Sequence, residues 1–130
     1  MRPFAGGHDM HKLAATLVLS ILALPALGHH SNAMFDLEKV IELKGTIKEF
    51  QFTNPHTWVQ VVVKDDKGMD QEWSLEWGSP NNLGRQGIRP SSLPAGTKVT
   101  IRTSPMKDGS PGGMFVGAQF ADGSTLGRWD

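Results

Sequence analysis

The chain has 130 residues, with 13 Lys plus Arg balanced by 13 Asp plus Glu, no cysteine and no tyrosine. That length holds one modest core. The interspersed charges leave no basic footprint for nucleic acid and no polybasic membrane patch, and the missing thiols exclude disulfides and thiolate metal sites.

Residues 1–28 read as a cleavable secretory signal. Arg2 and Lys12 precede the apolar run Leu13-Ala-Ala-Thr-Leu-Val-Leu-Ser-Ile-Leu-Ala-Leu24, and the small residues Ala26 and Gly28 fit a cleavage site. The run is shorter than the roughly 20 residues of a membrane-crossing helix, so no permanent anchor is expected. Met10 is an alternative start that yields the same mature protein. Once Arg2, Lys12 and Asp9 are removed, 11 basic and 12 acidic residues remain. The product is expected in the periplasm or outside the cell, with residues 29–39 as a lead-in and 40–130 as the working domain.

From residue 40 to 52 the chain alternates, with Ile41, Leu43, Gly45 and Ile47 on one face, before Phe50 and Phe52 shift the phase. A long strand with a bulge near Glu49 explains the shift, and Gly45 suits tight curvature. Thr53-Asn-Pro-His56 is a turn, residues 57–64 a valine-rich strand, and 71–77 a third strand with Trp73, Leu75 and Trp77 opposite Glu72, Ser74 and Glu76. Ser79 can cap a two-turn helix that opens on Pro80 and stops at Gly87. A fourth strand covers 98–103, a flexible Gly- and Pro-rich loop 104–113, a fifth strand 114–120, and a short tail follows. This order predicts a mainly β fold: a small five-stranded, OB-like Greek-key barrel with one short helix between strands 3 and 4. An open β-sandwich produces the same string of elements.

These residues resemble a family of small exported bacterial proteins of unknown function. The likeness rests on His29-His-Ser31, Met34-Phe-Asp36, Asn54-Pro-His-Thr-Trp58, Glu72-Trp73, Arg85-Gln-Gly87 and Asp108-Gly-Ser-Pro-Gly-Gly113. It spans nearly all of the mature chain and implies no activity.

Chemistry is sought first at the new amino terminus. Cleavage after Gly28 frees the α-amine of His29, which can chelate one metal together with its own Nδ1. Adding His56 gives the three-nitrogen set of a histidine brace, and His30 can substitute for or supplement His29. Such nitrogen-rich sites select copper, so copper is the expected cofactor. The alternative reading makes the histidine pair a solvated stub and His56 a turn residue beside Trp58, with no Asp or Glu adjacent in sequence to complete a conventional zinc site.

Glu72 and Glu76 lie about 13 Å apart along a strand, too far for a retaining glycosidase pair. They read as a solvated face, or as partners of Arg85 or of a ligand. Arg85, on the helix end, can hold a carboxylate or fasten the helix to the sheet, whereas Arg89 reads as a solubilising charge. Phe50, Phe52, Trp58 and Phe115 are core, or a platform for a small apolar or sugar ligand. No nucleophile elbow or phosphate-binding loop occurs, so catalysis is not claimed; a metal-dependent oxidase using the same brace is a third reading, and it also needs an open coordination position and a substrate surface. The expected partner is a small ligand or another envelope protein on which the domain docks as an accessory module.

Overall fold

The computed structural model describes residues 32–130. The signal segment, His29 and His30 lie outside the described residues, and Ser31–Asp130 forms one unit by itself.

Five strands close into a barrel. β1 (Ile41–Gln51) pairs antiparallel with β2 (Trp58–Lys64) and with β4 (Lys98–Pro105), while β2 also pairs with β3 (Asp70–Glu76). β5 (Gly112–Phe120) runs antiparallel to β4 and, on its other edge, parallel to β3. The circuit β3-β2-β1-β4-β5-β3 is the closed, mixed five-stranded barrel expected of an OB-like fold. The β-sandwich alternative is thereby excluded.

β1 belongs to both halves of the barrel because it is long and bends. The β1–β2 register slips between Ile47 and Glu49, so Lys48 is the extra residue of a bulge. At Gly45 a Cβ would stand 2.5 Å from the Val62 carbonyl oxygen and 2.8 Å from Val61 Cγ2; the curvature there is a close approach that only glycine permits. Inward positions supply the core, in which Val59, Val61, Leu75 and Ile101 are wholly buried, with Trp73 and Trp77 packed against it.

The helix α1 (Pro80–Arg85) forms where its caps place it. Ser79 accepts a hydrogen bond from the Asn82 N–H at 3.2 Å. At the other end the Ile88 N–H bonds to the Leu83 carbonyl and the Gly87 N–H to that of Gly84. With Gly87 at φ +82°, this is the Schellman arrangement, and Leu83 and Ile88 are buried together. Arg89 donates to the Gly84 carbonyl at 3.0 Å; it therefore caps the helix and is not only a solubilising charge. Replacing Ser79 by alanine is expected to cost about 1 kcal/mol, read as a lower urea midpoint at constant slope. An unchanged midpoint would show that tertiary packing alone holds α1.

Two segments read as irregular are ordered by pairing. Residues 104, 105, 112 and 113 belong to strands, because Pro105 pairs with Gly113 and Ser104 with Met114. The loop is thus confined to the tip, where Asp108 accepts from the Ser110 N–H and hydroxyl. These bonds, the hydroxyl one foremost, hold the Asp108 carboxyl below its ordinary value. The tail forms β6 (Thr125–Gly127) against β5. It ends with Trp129 stacked on Arg102 at 4.3 Å while the Arg102 Nε donates to Glu42 at 3.0 Å. No helix among the described residues is long and apolar enough to cross a membrane.

Candidate functional site

Alternation along β3 turns Leu75 inward and Glu72, Ser74 and Glu76 outward. An outward carboxylate on a barrel is ordinarily solvated, and Glu72 is: it is exposed and accepts from Lys48 Nζ at 2.7 Å. That hydrogen bond, reinforced by the opposite charge, raises the Lys48 pKa. Glu76 departs from the solvated-face expectation, with its side chain only 6% exposed. The cause is barrel closure. β3 has a neighbour on both sides at this level, so Glu76 stands between Trp58 of β2 and Met114 of β5, and the His56 ring covers it.

His56 Nδ1 lies 2.5 Å from Glu76 Oε1. An acid does therefore stand beside His56, contrary to what the local sequence suggests, because the 19 residues between them fold into the β2–β3 hairpin. The end of that hairpin is clamped. The Thr57 N–H and hydroxyl both donate to the Gly78 carbonyl, at 3.0 and 2.9 Å, the Trp77 N–H donates to the Thr57 carbonyl at 2.9 Å, and Thr57 is wholly buried. The Thr53 hydroxyl donates to the His56 carbonyl at 3.2 Å across a turn whose Asn54–Pro55 peptide is cis. The backbone of His56 is thus fixed from both sides.

His56 Nδ1 and the Glu76 carboxylate face each other at ion-pair distance, which leaves the other ring nitrogen turned away from the carboxylate. The nitrogen that can then serve a metal is Nε2. Metal-binding histidines are commonly oriented this way, with the other ring nitrogen donating to a carboxylate that raises the basicity of the ligand. Among the described residues, no three His, Asp or Glu side chains gather as a metal site.

The remaining candidates do not converge. Trp58 is half-buried at the start of β2, beside Glu76. Arg85 is exposed, makes no ion pair among the described residues, and meets neither Glu72 nor Glu76, whose partners are Lys48 and His56. Of the aromatic platform, Phe115 is buried and stacks on Trp77 at 4.3 Å, and Trp77 on Phe50 at 6.1 Å; these rings are core. A cavity of about 690 Å³ does open nearby, with Trp77, Gln86, Met114, Phe115 and Arg128 among its walls. None of Trp58, Glu72, Glu76 or Arg85 lines it. Met114, whose register places it both on the cavity and beside Glu76, is the residue that sequence reasoning missed; its sequence signal, outward alternation from Phe115, says nothing of its neighbour across the sheet.

A family model described as "Family of unknown function (DUF6152)" matches residues 16–116. No curated protein and no solved structure matches the chain.

Proposed function

We propose that this chain, which belongs to the family of unknown function DUF6152, is an exported, periplasmic metal-binding protein that holds copper. Removal of residues 1–28 exposes His29; its α-amine and Nδ1, together with Nε2 of His56, form a histidine brace, with His30 as a further ligand. The observation that carries this reading is the His56–Glu76 contact of 2.5 Å. A buried carboxylate that fixes the imidazole tautomer and directs Nε2 to the metal is the usual outer support of a metal-binding histidine. Three nitrogens in a tetragonal set favour Cu(II) over the other divalent ions.

The lead-in is tied to β4: Phe35 pairs with Met106, the Asp36 N–H donates to the Pro105 carbonyl and the Lys107 N–H to that of Met34. From there to the β2–β3 hairpin the surface crosses three strand spacings, about 14 Å.

The test is copper titration of the mature protein, its amino terminus established by mass spectrometry, beside a His56→Ala variant and a form with one extra residue before His29. One-to-one binding of Cu(II), weakened in both altered forms, is expected. Equal binding by all three forms would end the copper reading. The second reading is a non-catalytic ligand-binding or accessory module that docks on another envelope protein. It is favoured by the 690 Å³ cavity, a volume ordinary for a small-ligand site.

A further inference from the structure

We infer that the 690 Å³ cavity is a binding site for a small monocarboxylate with an apolar body, its carboxylate held by Arg128 and Ser104. This rests on the second reading above, the ligand-binding module, and needs no metal. The hollow arises from what covers the outer face where β4 meets β5. Thr103 and Phe115 are buried against the core, so Ser104 and Met114, the next pair in the register, turn to the opposite face. Two segments wall that face without filling it. On one side the Asp36 N–H donates to the Pro105 carbonyl at 2.9 Å, which fastens the lead-in to β4 and brings Leu37 to the rim. On the other, the Arg128 N–H donates to the Val116 carbonyl at 2.9 Å, and Trp129, stacked on Arg102 at 4.3 Å, holds the chain that follows.

Ser104 departs from what an outer position leads one to expect. It is only 5% exposed, it lines the cavity, and its hydroxyl makes no hydrogen bond to any described residue. A hydroxyl withdrawn from water without a partner costs free energy that an acceptor on a bound molecule recovers. Arg128 supplies the charge. Its guanidinium is exposed at the rim and makes no ion pair among the described residues, so its planar fork is open to a carboxylate. Trp77, Met114 and Val116 offer apolar walls to the rest of the ligand. Asp130 stands on the same rim, also without an ion pair among the described residues, so a second carboxylate on the ligand would meet a like charge. The ligand therefore carries one.

The experiment uses protein produced from the full 130-residue sequence and follows the Met114 methyl signal by nuclear magnetic resonance, with the exposed Met69 as reference. The probes are phenylacetate, its neutral amide phenylacetamide, and the dicarboxylate phenylmalonate. Phenylacetate is expected to move the Met114 signal and not that of Met69, with a dissociation constant of roughly 1 mM, and the other two probes to bind at least about fivefold more weakly. Arg128→Gln is expected to weaken phenylacetate about fivefold, the upper value for an exposed ion pair, whereas Lys67→Gln, which removes the same charge from the exposed β2–β3 turn, changes nothing. Ser104→Ala is expected to weaken it about tenfold without lowering the urea midpoint, because the hydroxyl has no partner to lose. Phenylacetamide bound as tightly as phenylacetate, with Arg128→Gln indifferent, would overturn the carboxylate and leave the ligand-binding module standing. Equal losses in Arg128→Gln and Lys67→Gln, or a Met69 signal that moves with Met114, would reduce the effect to non-specific association and end the proposal. A Met114 signal that none of the three probes moves would overturn both the monocarboxylate and the cavity as a ligand site.

Discussion

Glu76→Gln is expected to lower copper affinity about tenfold, and Glu76→Leu about a hundredfold, within the range found when the outer partner of a metal-binding histidine is lost. Glutamine keeps the size and one oxygen against Nδ1, so Nε2 still faces the metal. What is lost is the negative charge that makes the imidazole a better donor. Leucine removes the carboxylate contact altogether, and with it the constraint that contact places on the ring. Glu76 is 5% exposed and flanked by Trp58 and Met114, so leucine fits an already covered position and the barrel should survive; near-ultraviolet circular dichroism checks this. Isothermal titration with Cu(II) reads the affinities. Two folded variants that bind like wild type would detach Glu76 from the site and remove the observation on which the brace rests.

The same residue shows how far the sequence could be read. Local chemistry was legible: Ser79, Pro80 and Gly87 act on neighbours a few residues away and delimit α1 as their types require. The phase shift after Ile47 marked the bulge within one residue. Alternation told which side chains of β3 face the core, and Leu75 is wholly buried. It could not tell what covers the other face. That depends on β5 lying parallel to β3 with Glu76 opposite Met114, a pairing between segments almost 40 residues apart with no turn to set its register. The burial of Glu76, its contact with His56 and the place of Met114 all follow from that one non-local pairing. β6 was missed for a different reason, since three residues carry too little pattern to distinguish a strand from a tail.

The closing pair of strands also makes the strongest prediction about stability. Gly113→Ala is expected to destabilise the domain by about 3 kcal/mol, the upper part of the range for overpacking, and to lower Tm by roughly 15 °C for a domain of this size. Gly113 sits on β5 between Pro105 of β4 and Leu75 of β3. A Cβ there would press on the Ser104 carbonyl oxygen and stand 2.5 Å from Thr103 Oγ1. Neither can yield freely. The carbonyl belongs to the β4 backbone, and the Thr103 hydroxyl is buried and donates to the Met114 carbonyl at 2.8 Å, so moving it leaves a buried polar group unpaired. Gly112→Ala is the control: its nearest neighbours, the Ser74 carbonyl oxygen at 3.2 Å and Met106 Cγ at 3.4 Å, need to shift only slightly, and its cost should be about 1 kcal/mol, below the overpacking of a rigid site. Equal urea midpoints for the two variants would refute the tight β4–β5 seam. If β5 instead escapes the clash by slipping one residue, every side chain on it changes face, and Met114 leaves the row it shares with Glu76.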